Sequence, residues 1–339
     1  MKKFIAFALL LIFSSSHIAS ACTTFFLHKN GQMIFGKNYD WVTGTGVVHT
    51  NLRGIKKQSL PLDGNKKFNW TSKYGSISFN QFGKEFPNGG INEKGLVVEL
   101  MWLDKSEYPK ADERPSISVL QWIQYQLDNA ATIDEVIASD KLMRVVSTGT
   151  PQHYLVADAS GKVATIEFLQ GKMVVHKGSD LPYPVLANDT YQESLKNYNS
   201  NRNGRFTTAC KRVQQYQAAN TKEPIVSYGL KTLDAVAQGS FTKWKIVYDI
   251  TNKQVHFKTV ANENVKILAL KDFDLSAQAE PLSLDINDAV KGNVAKSFTA
   301  FSPAYNKQML KKAFAESSSR FQIPAHLQEA VAVMGGGGR

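Results

Sequence analysis

Cys22 stands directly after Ala19-Ser20-Ala21, and that position gives it chemistry. A cut after Ala21 would make Cys22 the first residue, holding a thiol nucleophile and a free α-amine in one place. An α-amine titrates unperturbed at about 7.7–8, so it can take the thiol proton without a histidine. The thiolate would attack a carbonyl, the amine would protonate the leaving nitrogen, and water would resolve the acyl-enzyme. Such a centre needs a carboxylate to orient the amine, fixed donors for the oxyanion and positive charge near the sulfur. Asp40, Asn188 and Arg205 are of the right types. Spacing alone favours a loop acid, a turn residue and a surface cation.

Lys2 and Lys3, the apolar run from Phe4 to Phe13 and the small-residue site at Ala19 to Ala21 read as a secretory signal. The run is too short to span a membrane. A periplasmic or secreted location follows. A Cys after a leader is also the lipid acceptor of bacterial lipoproteins, which blocks both amine and thiol. The Leu usual three residues before that Cys is here Ala19. The leader alone leaves open a free N-terminal Cys and a non-catalytic binding protein anchored at Cys22.

Removing residues 1–21 leaves 318 of 339, enough for a substantial core. Apolar content of 43% and charged content of 20% are ordinary for a globular protein. The formal charge of +11 falls to +9 without Lys2 and Lys3. The excess is scattered, with no basic stripe interleaved with aromatics, which argues against nucleic acid and allows anionic substrates. No Cys/His cluster has metal spacing and no glycine-rich phosphate loop occurs, so no metal or cofactor is expected. Two cysteines, Cys22 and Cys210, leave a disulfide open in an oxidising compartment. A first-residue Cys makes a poor staple because termini fray.

Asn30-Gly31 between two apolar runs is a strong hairpin signal, a mirror-image two-residue turn. With that turn fixed, opposing residue numbers sum to 61, so Cys22 faces Tyr39 and Asp40 arrives beside it. Residues 42–90 read as strands and long loops able to act as a lid. Gly89 to Gly95 reads as a turn feeding a buried strand that ends at Trp102. Ser116 is expected to open a helix, and Thr132 with Glu135 forms a capping box for a second. Tyr154 to Ala157 with Val163 to Phe168, and Trp244 to Asp249 with Val255 to Val260, read as hairpins. A short strand ends at Asn188, Arg205-Phe206 precedes a helix containing Cys210, and another helix covers 306–316. Repeated hairpins flanked by helices predict an α+β, four-layer αββα sandwich of two antiparallel sheets. The expected organisation is a leader at 1–21, one domain over 22–334 and a flexible Gly-rich tail at 335–339.

Six segments occur together: Cys22-Thr23-Thr24, Gly36 to Trp41, Asn92 to Leu96, His153 to Asp158, Leu186 to Asp189 and Arg205-Phe206. In order and approximate spacing they resemble the choloylglycine hydrolase family, which contains bile salt hydrolases and penicillin V acylases. The resemblance implies an N-terminal-nucleophile amidase of the αββα type, often tetrameric, acting on a small-molecule acyl amide with no stable membrane anchor. It implies Cys22 as nucleophile and base, Asp40 orienting it, Asn188 in the oxyanion hole and Arg205 supporting the thiolate. Two departures stand out. Lys37 replaces the family's usual Arg, keeping charge without the bidentate fork. Trp102 stands where bile salt hydrolases carry a second Asn. With Trp41, it is similar to the Gram-negative penicillin V acylase branch, whose relatives also deacylate N-acyl homoserine lactones. Two indoles make an apolar slot suited to phenoxyacetyl or fatty acyl groups, and less suited to a steroid amide.

Overall fold

The structure is a computed structural model, and it describes residues 22–60, 62, 66–320 and 322–334. The leader and the Gly-rich tail lie outside the described residues. The chain begins with the hairpin β1 (Thr23–Lys29) and β2 (Gln32–Asp40). Asn30 and Gly31 have φ of 51° and 76°, the mirror-image turn the sequence predicts. The register follows, with Thr23 opposite Asn38 and Leu27 opposite Ile34.

Next come β3 (Val47–Asn51), a ribbon of β4 (Lys56–Gln58) and β5 (Asn69–Thr71), then β6 (Ser76–Asn80), β7 (Pro87–Asn92) and β8 (Val97–Trp102). Gly89 and Gly90 lie inside β7 and not in a turn. A side chain on Gly89 would meet the Glu99 carboxyl carbon at 2.1 Å, and one on Gly90 would meet the Ile77 carbonyl at 2.5 Å. Both glycines therefore serve close approach. The turn itself follows, with Gly95 at φ +84°.

Ser116 opens no helix; it lies in β9 (Ser116–Ser118), which pairs with β10 (Arg144–Val146). That pairing keeps the serine extended. The cap falls two residues later, where the Ser118 hydroxyl accepts from the Gln121 amide at the start of α1 (Val119–Asn129). Thr132 and Glu135 form the expected capping box on α2 (Ile133–Ala138). The predicted hairpins appear as β11 (Gln152–Ala157) with β12 (Val163–Leu169), extended by β13 (Lys172–Lys177). Then follow β14 (Val185–Leu186), α3 (Tyr191–Asn199), α4 (Arg205–Ala218) and α5 (Ile225–Ala235). The second predicted hairpin is β15 (Thr242–Asp249) with β16 (Gln254–Thr259), followed by β17 (Lys266–Ala269), β18 (Leu282–Asp285), β19 (Gly292–Asn293) and β20 (Thr299–Ala300). The chain closes with α6 (Pro303–Ser317) and α7 (Ala325–Met334).

Seven strands form one sheet in the order β14-β1-β2-β15-β16-β17-β19, and nine form the other, β13-β12-β11-β8-β7-β6-β3-β18-β20. Tyr248 and Phe257 of the first meet Phe79 of the second edge to face, and Phe35 packs edge-on against Tyr248, so the sheets stack through an aromatic core. Helices α4 and α5 cover the seven-stranded sheet, and α1 covers the nine-stranded one. This is the α+β sandwich expected from the sequence.

Asn92 ties α1 to its sheet. Its amide donates to the carbonyls of Leu127 and Ala130, and its carbonyl oxygen accepts from the amides of Lys94 and Leu96. One buried side chain thus closes both the β7–β8 turn and the end of α1. Asn92→Ala should lower unfolding free energy by about 2–4 kcal/mol, read by denaturant titration.

Candidate functional site

Cys22 immediately precedes β1 and is 2% exposed; Asp40 ends β2 and is fully buried. The register brings them together: the Cys22 Sγ lies 3.9 Å from the Asp40 carbonyl oxygen. Alternation along β2 then sorts its side chains. Asn38 reaches the Leu233 carbonyl of α5, while Lys37 and Tyr39 face the nine-stranded sheet.

Asp40 Oδ1 accepts from Thr242, and Oδ2 accepts no hydrogen bond among the described residues. Arg205 Nη1 stands 3.9 Å from that second oxygen. Burial raises the Asp40 carboxyl to about 6, against the lowering pull of Thr242 and Arg205. Thr242 carried no sequence signal, being one polar residue at the start of a strand.

Arg205 is the first residue of α4, and its fork ties three segments together. Nη1 donates to the Cys22 carbonyl at 2.6 Å and to Thr23 Oγ1 at 2.9 Å, and Nη2 donates to Asn188 Oδ1 at 3.1 Å. Since arginine only donates, Asn188 must turn its oxygen toward it. The Asn188 amide nitrogen then gives one hydrogen to the Trp102 carbonyl at 2.8 Å and keeps one for another acceptor. Four predicted residues therefore meet: Cys22, Asp40, Asn188 and Arg205.

Lys37 lies beneath them. Its Nζ donates to the Leu100 carbonyl and is 3.7 Å from Glu99 Oε2, with no hydrogen bond to the thiol. Burial pushes the Cys22 thiol above its ordinary value, and the charges of Lys37 and Arg205 pull it down. The two cysteines are free thiols, both buried.

Cys22 opens into a pocket of about 820 Å³, counting the space open to solvent at its mouth. Trp41 and Trp102 line it, with ring centroids 5.8 Å apart and planes at 34°. Further walls come from Phe82 of the 42–90 segment and, unexpectedly, from Phe314 of α6 and Leu327 and Val331 of α7. The end of α6 is fastened to the segment that follows β2: Trp41 Nε1 donates to Ser317, and Thr43 and Thr45 donate to Glu316. The sequence predicts a helix over 306–316, within α6, and none over α7.

A hydrogen-bonded cysteine, a buried carboxylate and an amide donor at the foot of an apolar pocket define an acyl-transfer type of site. Residues 22–221 match the family model of the linear amide C–N hydrolases, choloylglycine hydrolase family, and the chain belongs to that family. Penicillin V acylase of Pectobacterium atrosepticum is 35% identical over 213 residues, 56% of this chain and 55% of that protein. The chain thus spans about half the length of that curated relative. Penicillin V acylase from Agrobacterium tumefaciens superposes with a TM-score of 0.73 at 26% identity, over 83% of this chain and 98% of that one. A mutant of conjugated bile acid hydrolase from Clostridium perfringens shares the fold, with a TM-score of 0.67 at 17% identity over 80% and 99% of the two chains.

Burial raises Glu99 to about 7, with Lys37 and Tyr248 pulling it down. The folded protein therefore holds this proton more tightly than the unfolded chain, where a Glu titrates near about 4.3. This group's stabilising contribution is fully present below about pH 4.3 and is lost as pH rises toward 7. Glu99→Gln should remove that part of the pH dependence, gaining stability over wild type at pH 8 relative to pH 5 in denaturant titrations.

Proposed function

We propose that the protein is an exported amidase that hydrolyses linear C–N amide bonds through an acyl-enzyme on Cys22. The observation that carries this reading is the convergence of Asp40, Asn188 and Arg205 on Cys22 where it opens into an apolar pocket. Export rests on the leader pattern of residues 1–21. Once residue 22 is first, Asp40 Oδ2, which accepts no hydrogen bond among the described residues, supplies an acceptor for its α-ammonium.

A buried thiol with a raised pKa stays protonated at rest, so the chemistry needs a local base. The neutral α-amine takes the Sγ proton as sulfur attacks the acyl carbon. The carbonyl oxygen becomes an oxyanion, for which Asn188 has its second amide hydrogen. The amine returns the proton to the leaving nitrogen and the C–N bond breaks. Water, deprotonated by the same amine, releases the acid and restores the thiol. Arg205 holds the Cys22 carbonyl and Asn188 in place throughout.

The acyl group should be apolar, because two indoles and the aliphatic faces of α7 line its space. Phenoxyacetyl, as in penicillin V, and fatty acyl, as in N-acyl homoserine lactones, rank first. A conjugated bile salt ranks lower, because Trp102 offers its ring where a polar reader of hydroxyls would be needed.

The intact mass of the exported protein should correspond to an unmodified chain beginning at Cys22. That form should hydrolyse penicillin V or an N-acyl homoserine lactone, and Cys22→Ala should abolish the activity. Full activity of Cys22→Ala, or a lipid adduct on Cys22, would overturn the reading. Asn188→Ala should cost about 10²–10³ in kcat with little change in KM, measured by steady-state kinetics.

A further inference from the structure

The segment His153 to Asp158 was singled out by its pattern, yet nothing in the catalytic scheme uses it. His153 lies in β11, Glu167 in β12, and both are fully buried. His153 Nε2 is 2.7 Å from the Ala187 carbonyl oxygen, and Nδ1 is 3.2 Å from Glu167 Oε1. The same Oε1 accepts from the Tyr191 backbone amide at 3.0 Å. Ala187 and Tyr191 bracket Asn188.

A carbonyl only accepts, so Nε2 carries a proton. Nδ1 faces a carboxyl oxygen, so one further proton lies between Nδ1 and Oε1. The pair is thus charged on both partners or neutral on both. His176 Nδ1 stands 3.6 Å from the other oxygen, Oε2, and takes a contact of 3.1 Å with Thr165 Oγ1. Neither His153 nor Glu167 lines the pocket.

We infer that His153 and Glu167 form a positioning clamp for Asn188, gripping the backbone on both sides of it so that its amide is held ready for the oxyanion. The short strand β14 belongs to the seven-stranded sheet, while β11 and β12 belong to the other. The clamp therefore fixes, across the sheet interface, a residue whose own sheet ends two positions earlier. A side chain needs such a hold because a displacement of about 1 Å can cost on the order of 10²-fold in rate. Arg205 and the Trp102 carbonyl orient the amide group, and the clamp fixes the backbone that carries it.

Two substitutions at Glu167 test this. In Glu167→Gln the position of Oε1 holds either an oxygen that still accepts from Tyr191 or a nitrogen that donates to a neutral His153 Nδ1, so one of the two contacts is kept and one is lost. This variant should stay within about fivefold of wild-type kcat, the scale of one neutral hydrogen bond. Glu167→Leu removes both contacts and should lower kcat by about 10²-fold with little change in KM. It should also speed hydrogen exchange over 187–191. In an Asn188→Ala background, Glu167→Leu should cost little more, which a general loss of stability would not produce.

Equal losses in the Gln and Leu variants, or losses that multiply fully with Asn188→Ala, would overturn the clamp. If Glu167→Leu does not fold, Glu167→Gln and its double variant still decide. The inference rests on the amidase reading, and the two fail separately. Absence of Cys22-dependent hydrolysis by the wild-type protein would remove the amidase reading. Unchanged exchange over 187–191 in Glu167→Leu would remove the clamp even with hydrolysis intact.

Discussion

The geometry of the site depends on one two-residue turn. Asn30 and Gly31, both at positive φ, fix the register of β1 against β2, and a slip of one residue would exchange the faces of every side chain on the hairpin. Lys37 would then leave the inter-sheet space, and Asp40 would turn away from Thr242 and Arg205. The register also dictates the neighbouring sheet. Lys37 inside the sandwich needs a counter-charge, Glu99 supplies it, and Glu99 needs room that only a glycine at position 89 leaves.

Around this hairpin, Arg205 does for orientation what the register does for proximity. Its guanidinium donates to the Cys22 carbonyl, to Thr23 Oγ1 and to Asn188 Oδ1, and so holds three acceptors together. Cys22 and Asn188 come from segments 166 residues apart, and a rigid fork joins them more firmly than an ammonium on a flexible stem would. The charge near the thiol comes from two directions, with Lys37 beneath and Arg205 beside. Burial outweighs both and leaves the thiol's pKa above its ordinary value.

The hairpin was legible from the sequence because turn chemistry is local: Asn-Gly has few other uses between apolar runs. The capping box on α2 was legible for the same reason. Glycines 89 and 90 misled, because a glycine kept for close approach looks like a glycine kept for a turn. Ser116 misled because two cap-type residues lie two positions apart and only the pairing with β10 selects between them. Cys22, Asp40, Asn188 and Arg205 were recognised as a set by resemblance, since no local rule joins residues so distant. Thr242 and the walls from α6 and α7 depend wholly on tertiary placement, and their residue types alone distinguish nothing.

That the pocket borrows its walls from Leu327 and Val331 has a consequence for how the protein is made. Synthesis runs from the N-terminal side, so the Cys22 hairpin, Arg205 and both sheets are made before α7. A chain stopped short of α7 would keep the register that sets the Cys22 thiol against the Asp40 carbonyl, but at the floor of an open trench. The Cys22 hairpin and the far walls of its pocket come from opposite ends of the described residues, so a truncation that leaves the hairpin intact still opens the pocket.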